Sequence, residues 1–132
     1  MANAPVFVGT PLRGILTTAN AVTQNVVVGG ASGSKIVGMI ATSTNTTQQN
    51  CAVFIGNATV NNVLTTVSIP ANAGTNNSIP PFNIFSPTYL PGLPVDNDGQ
   101  QYLFLANSTD VISAQTVGTA PGVVIHTIYG NF

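Results

Sequence analysis

Few side chains in this sequence can move a proton, hold a metal or attack an electrophile. There is one histidine, His126, one cysteine, Cys51, and three carboxylates, Asp96, Asp98 and Asp110; glutamate is absent. A hydrolytic triad needs a nucleophile on a sharp turn beside a histidine, and no nucleophile-elbow sequence occurs. His126 lies in the apolar stretch VVIHTIYG, on the strand face of Val124 and Ile128, and reads as a core or interface imidazole. Glycoside hydrolysis needs two carboxyl groups across a cleft. Asp96 and Asp98 instead share one turn and Asp110 opens a separate strand, so all three read as hydrogen-bond acceptors of turns and strand ends.

Metal and phosphate chemistry fare no better. The run Asp96-Asn97-Asp98-Gly99 starts like a calcium loop but lacks the later ligands and the closing glutamate, so only a weak site completed by carbonyls stays open. One cysteine and one histidine do not complete a zinc site. Gly29, Gly30 and Gly33 precede a strand-like run opened by Lys35, where a phosphate loop would precede a helix. Cys51, in an apolar strand, reads as a small buried hydrophobe. Asn45, Asn57, Asn76 and Asn107 begin N-x-[ST] triplets, but a chain this rich in Asn, Ser and Thr would hold about three by chance. A sugar-stacking platform of Tyr89, Tyr102, Tyr129 and Phe132 is the alternative to packing; with aromatics at 7% and no tryptophan, packing is the preferred role. The expectation is no catalysis, no cofactor and no metal.

The composition points the same way. Arg13 and Lys35 complete the charged set, so 4% of the 132 residues carry charge, against about 25% in an ordinary globular protein. Hydrophobic residues stand at a normal 44%. The missing charge is replaced by 15 Asn, 17 Thr, 8 Ser and 6 Gln. Two cations do not neutralise a phosphate backbone or anchor the chain to an anionic membrane surface. Apolar runs of five or six residues are far short of the ~20 needed for a spanning helix. The opening MANAPVFVGTPLRG has neither the basic nor the apolar region of a signal peptide, and one cysteine makes no internal disulfide. Synthesis in a reducing cytoplasm is expected. At 13.5 kDa the folded surface should be roughly 6,500 Å². Five charges leave large neutral patches on such a surface, and charge-poor surfaces favour association.

The elements that must carry these residues are short strands. Val, Ile, Thr, Phe and Tyr dominate, 13 Gly and 9 Pro break the chain at short intervals, and no segment shows a capped helical period. Residues 1–14, with Pro5, Gly9, Pro11 and Gly14, read as an extended N-terminal arm or edge strand, and 15–132 as one domain. Strands are expected over 13–18, 24–28, 35–43, 51–56, 63–69, 101–106, 111–117 and 123–129, with 79–85 an edge or irregular element because of Pro80 and Pro81. In 35–43 both faces look apolar, Ile36 with Ile40 against Val37, Met39 and Ala41, so that strand is expected to be covered twice. In 101–106 Tyr102 and Phe104 share one face, Leu103 and Leu105 the other. Seven to nine strands with turns every 8–12 residues indicate an all-β fold: a single-domain, jelly-roll-like antiparallel β-sandwich with little or no helix.

Three segments carry a family likeness: VLTTVSIPANAGTNNSIPPFNIF (63–85), PGLPVDNDGQQYLFLANSTDVISAQT (91–116) and VVIHTIYGNF (123–132). The order of strand, IPA-x-AGT loop, double proline, LPGLP-D-x-x-G and aromatic-leucine strand resembles small virion structural proteins of tailed phages, of the β-sandwich kind. The chain departs from that pattern at residues 106–110, where Ala-Asn-Ser-Thr-Asp replaces a small Ala-Gly-Asp turn. The resemblance implies a virion component, in particular a decoration or cement subunit on the capsid exterior. The partner would then be the major capsid protein and the subunit a dimer or trimer, with no nucleic acid or membrane partner. Candidate capsid contacts are Pro5, Phe7, Pro11, Arg13 and Lys35, on the arm and at the two cations. Alternatives are a neck, tail or fibre-attached module, or a glycan-binding domain for host recognition.

Overall fold

A computed structural model describes residues 10–18, 24–56, 63–117 and 122–132. The described residues form nine strands and no helix. They are β1 (Thr10–Thr18), β2 (Gln24–Val28), β3 (Ser34–Ser43), β4 (Gln49–Ile55), β5 (Val63–Ile69), β6 (Phe82–Asn83), β7 (Leu103–Leu105), β8 (Val111–Val117) and β9 (Val123–Asn131). The β-branched runs form the strands, and the Gly-, Pro- and Asn-rich stretches join them. Of the segment read as an arm, residues 10–14 run within β1, and residues 1–9, with Pro5 and Phe7, lie outside the described residues.

Two antiparallel sheets result. One runs β1-β9-β3-β6, with β7 also on β3; the other runs β2-β8-β4-β5. The pairing is nested: β1 with β9, β2 with β8, β3 with β6 and β7, β4 with β5. That is one long antiparallel ribbon folded at its middle. The pairs β3–β9 and β4–β8 then roll the ribbon onto itself. The result is an antiparallel jelly-roll β-sandwich. β6 and β7 share one strand position: β6 pairs Phe82 and Asn83 with Ala41 and Ile40, and β7 pairs Leu103 to Leu105 with Ile36 to Ser34. Pro80 and Pro81 limit β6, since neither can donate to a ladder.

The core lies between the sheets. Val27, Cys51, Val53, Val67, Ile69, Ile112 and Ala114 from one sheet meet Ile36, Met39, Ala41, Leu105, Val123 and Ile125 from the other, with Ile84 and Leu90 closing one side. A β-bulge between Ile36 and Gly38 shifts the phase of β3. Ile36 therefore joins Met39 and Ala41 inside, and Ile40 faces out, partly exposed. This corrects the expectation that β3 is covered on both faces: it is central in its sheet but packed on one side. The accessible surface is 6981 Å², close to the size-scaling value.

Candidate functional site

The residues with chemical potential do not converge. Among the described residues no three of His, Cys, Asp and Glu come together as a metal site. Asp96 is tied into its own turn, its Oδ1 accepting from the backbone N–H of Asp98 (2.9 Å) and of Gln100 (3.0 Å). Asp110 Oδ2 accepts from Ala106 N–H at 2.7 Å, closing the β7–β8 connection. His126 is half-buried and stands opposite Ile40 in the β3–β9 ladder. Cys51 is fully buried, and burial pushes its thiol up to about 11, with a backbone hydrogen bond at Gln115 acting weakly the other way. A thiol so placed is neither nucleophile nor metal ligand at neutral pH.

What the fold does assemble is two surfaces at opposite ends. The first is a row of connections. The stretches joining β3 to β4 (44–48) and β5 to β6 (70–81) leave strands at the end where Val123 pairs both Thr18 and Ser43. Neither contains Asp, Glu, Lys or Arg. The IPANAGT motif builds much of this end. It docks on the end of β3 and the β3–β4 connection: Asn72 N–H donates to Asn45 O, Ser43 N–H to Ala73 O, and Thr75 Oγ1 to Ser43 O, all within 2.8–2.9 Å. Asn72 takes a positive φ of 57°, which asparagine tolerates, and Ala73 is fully buried. Asn76 Oδ1 accepts from Ser78 and Ile79 N–H and fixes the loop tip. Thr46, Thr47, Gln48, Asn76, Asn77 and Ser78 are left exposed.

The second surface gathers aromatic rings at the other end. Tyr102 and Phe104 share a strand face, as their spacing predicts, and their rings pack edge-on with centroids 5.0 Å apart. Phe132, at the end of β9, adds a third ring 5.7 Å from Phe104 and is held by its N–H to Gly33 O. Phe104 is 49% and Phe132 46% exposed. Lys35 stands opposite Phe104, only 8% exposed, with Nζ 4.8 Å from the centre of the Tyr102 ring. The cation thus serves the ring cluster and presents little of itself to a partner. Arg13 and Pro11 lie in β1 opposite Ile128 and Gly130. Of the four aromatics of the sugar-platform alternative, Tyr102 and Phe132 share the Phe104 cluster, whereas Tyr89 packs tilted against Phe82 at 4.8 Å and Tyr129 packs against the core. The meeting of Phe104 with Phe132 is not legible in sequence, because strand spacing does not show that Phe132 returns beside it.

The described charges sit away from the first surface. Lys35 is near the start of β3, Asp110 in the β7–β8 connection, and Asp96 and Asp98 in the turn from which Gln100 Nε2 reaches Val37 O.

No family model matches the chain, and no curated protein matches it. Three solved structures are similar at low identity. A chain of the virus-like particle of the extra small virus of the giant freshwater prawn Macrobrachium rosenbergii is 10% identical, with a TM-score of 0.38, over 98% of this chain and 83% of that one. The VP2 subviral particle of infectious bursal disease virus is 15% identical, with a TM-score of 0.20, over 98% of this chain and 41% of that one. A structure of the Gx strain of the same virus is 13% identical, with a TM-score of 0.21, over 93% of this chain and 38% of that one.

Proposed function

We propose that the protein is a non-catalytic structural subunit of a phage virion, a decoration or cement protein that binds the outside of a preformed capsid shell. A jelly roll alone does not decide this, because the fold hosts many functions. The observation that carries the reading is the distribution of charge. Only five charged residues serve a surface of 6981 Å², and the two described connections at one end of the sandwich, 44–48 and 70–81, have none. A standard interface takes about 800 Å² from each partner, so that end can be covered without desolvating a charge. Its exposed Asn, Thr, Ser and Gln side chains suit a wet, hydrogen-bonded contact. The likeness of segments 63–85, 91–116 and 123–132 to tailed-phage virion proteins supports the same reading. The partner is the major capsid protein, approached as a small homo-oligomer by a protein made in the host cytoplasm.

Copy number in purified particles tests this, by quantitative mass spectrometry against the major capsid protein. Hundreds of copies in fixed ratio to capsid subunits are expected. About a dozen would assign the protein to the neck or tail, and absence from particles would overturn the virion reading.

A further inference from the structure

Each edge strand of a sheet turns a row of main-chain N–H and C=O groups away from its one neighbour. Here the edge strands are β1 and the β6–β7 position in one sheet, and β2 and β5 in the other. Folded chains keep such rows from pairing with other chains by prolines, charges, bulges or short strands. Three of the four edges carry these devices. β1 contains Pro11, Arg13 and Gly14. β6 and β7 are two and three residues long, and Pro80 and Pro81 precede β6. β2 is five residues long, with a bulge between Asn25 and Val27.

β5 is the exception. Its sequence, VLTTVSI, includes no charge, proline or glycine, and a strand of that length spans about 23 Å. Its one irregularity is a step in the pairing with β4 near its start, at Leu64; from Thr65 to Ile69 it pairs residue by residue. Among the described residues, β4 supplies every main-chain partner of β5. Beyond β4, Thr65 Oγ1 donates to Tyr89 O at 2.7 Å, a side-chain bond that uses no main-chain group of β5. Val67 and Ile69 are buried, and Thr66 and Ser68 are exposed on the outer face.

What fits this edge is another strand, and the chain's own β5 fits it by symmetry. Two copies related by a two-fold axis perpendicular to the sheet pair antiparallel, and each residue must meet one that faces the same side. An axis at Thr66, the midpoint of Val63–Ile69, satisfies this along the whole strand. Thr66 then meets Thr66, Thr65 meets Val67, and Leu64 meets Ser68. Threonine and β-branched pairs stabilise such a ladder, whereas like charges directly opposite destabilise it. A two-fold brings each charge near its own twin, so neutrality favours self-pairing above all, and neither β5 nor β4 behind it carries a charge.

We infer that two copies of the chain pair antiparallel through β5, centred on Thr66, and join their four-stranded sheets into one continuous sheet. The outer edges of the joined sheet are then the two β2 strands, whose bulges stop further growth. This gives the small homo-oligomer an interface, but it concerns the isolated protein and does not rest on the virion reading.

The test places a cysteine at the axis. In the full chain, Thr66→Cys brings two thiols together at a Cα separation of about 4.5–5.5 Å, within the range a disulfide spans. Ser68→Cys is also exposed, but its twin lies four positions along the ladder, about 13 Å away. Cys51 is buried in both variants. Mild oxidation of the folded protein should link most of the Thr66→Cys variant into a dimer on a non-reducing gel, and Ser68→Cys at least about fivefold less. Equal linking of the two would show random collision, and no link in a folded Thr66→Cys variant would show an unpaired edge; either overturns the inference. Sedimentation equilibrium of the unmodified protein gives an independent reading should circular dichroism show the cysteine variant unfolded. A monomer–dimer equilibrium is expected, with Thr66→Lys raising the dissociation constant about tenfold or more. A monomer at every concentration, or a dimer that Thr66→Lys leaves intact, would overturn the inference as well.

Discussion

At the scale of single residues, two hydroxyls among the described residues depart from a satisfied core. Thr127 Oγ1 and Ser113 Oγ are buried without a hydrogen-bond partner. Thr127 is fully buried and stands opposite Met39 in the β3–β9 ladder. An unsatisfied buried hydroxyl costs about 1–3 kcal/mol, and valine keeps the shape of threonine without it. Thr127→Val should therefore stabilise the fold by ~1 kcal/mol. The expected readout is a higher urea midpoint at an unchanged denaturant slope; an unchanged or lower midpoint would show that the hydroxyl is satisfied in solution. Cys51 gives a pH-dependent prediction. Its thiol is raised from 9.0 to about 11 by burial, so the fold favours the protonated form. The resulting stability is complete below pH 9 and is lost as pH climbs through about 11. Cys51→Ala should flatten the fall in unfolding free energy over that interval. A thiol reagent at pH 8 should leave native Cys51 untouched and label it on denaturation.

At the scale of elements, the IPANAGT loop is the clearest case of local sequence made to fit one backbone. Gly74 takes a φ of +69°, and a Cβ there would come 2.9 Å from Thr42 Cγ2 and 3.0 Å from the Pro81 ring. Gly92 has a similar φ of +85° but open space around it. A side chain at either position pays about 1–2 kcal/mol for left-handed backbone; only Gly74→Ala adds the collision. Gly74→Ala should cost roughly 2–3 kcal/mol and Gly92→Ala about 1, read as paired thermal or urea transitions. Equal losses would mean that the loop relaxes away from Thr42 and Pro81. The elements themselves are legible in sequence, because β-branched runs between glycines and prolines have few alternatives. All eight expected strands form, with ends within a few residues. The face assignment of Ile36 is not legible, because the bulge after it depends on how β3 meets β9, a contact between residues about ninety apart in sequence. The nested pairing and the meeting of Phe104 with Phe132 are hidden for the same reason: periodicity along one strand does not encode its partner. The alternation that places Tyr102 beside Phe104, and Leu105 beneath them, is local and can be read directly.

For the whole molecule, the question is why a sandwich should concentrate neutrality at one end. The connection 70–81 is bound to the connection 44–48 by Asn72 N–H to Asn45 O and to the end of β3 by Ser43 N–H to Ala73 O and Thr75 Oγ1 to Ser43 O, so the exposed side chains ride on a fixed platform. Fixed, uncharged side chains lose little conformational freedom on association, and they spare the partner a desolvated charge. If this end meets the shell, a single charge placed there should weaken binding and leave folding intact. Thr46→Glu and Asn77→Glu alter exposed side chains that make no described hydrogen bond, so each should change stability by less than about 0.5 kcal/mol. Each should nevertheless reduce occupancy on purified particles about tenfold, the effect of ~1.4 kcal/mol in binding. Ser108→Glu, exposed on the β7–β8 connection at the opposite end, serves as the control and should bind as the unmodified protein does. Occupancy is read by adding excess protein to stripped particles and weighing it against the major capsid protein in the pelleted fraction. The reverse pattern, with Ser108→Glu displaced and the other two retained, would move the contact to the end that carries the rings. Full occupancy for all three would mean that the partner meets the flat of a sheet, where β9 already presents Ile128 at 50% exposure.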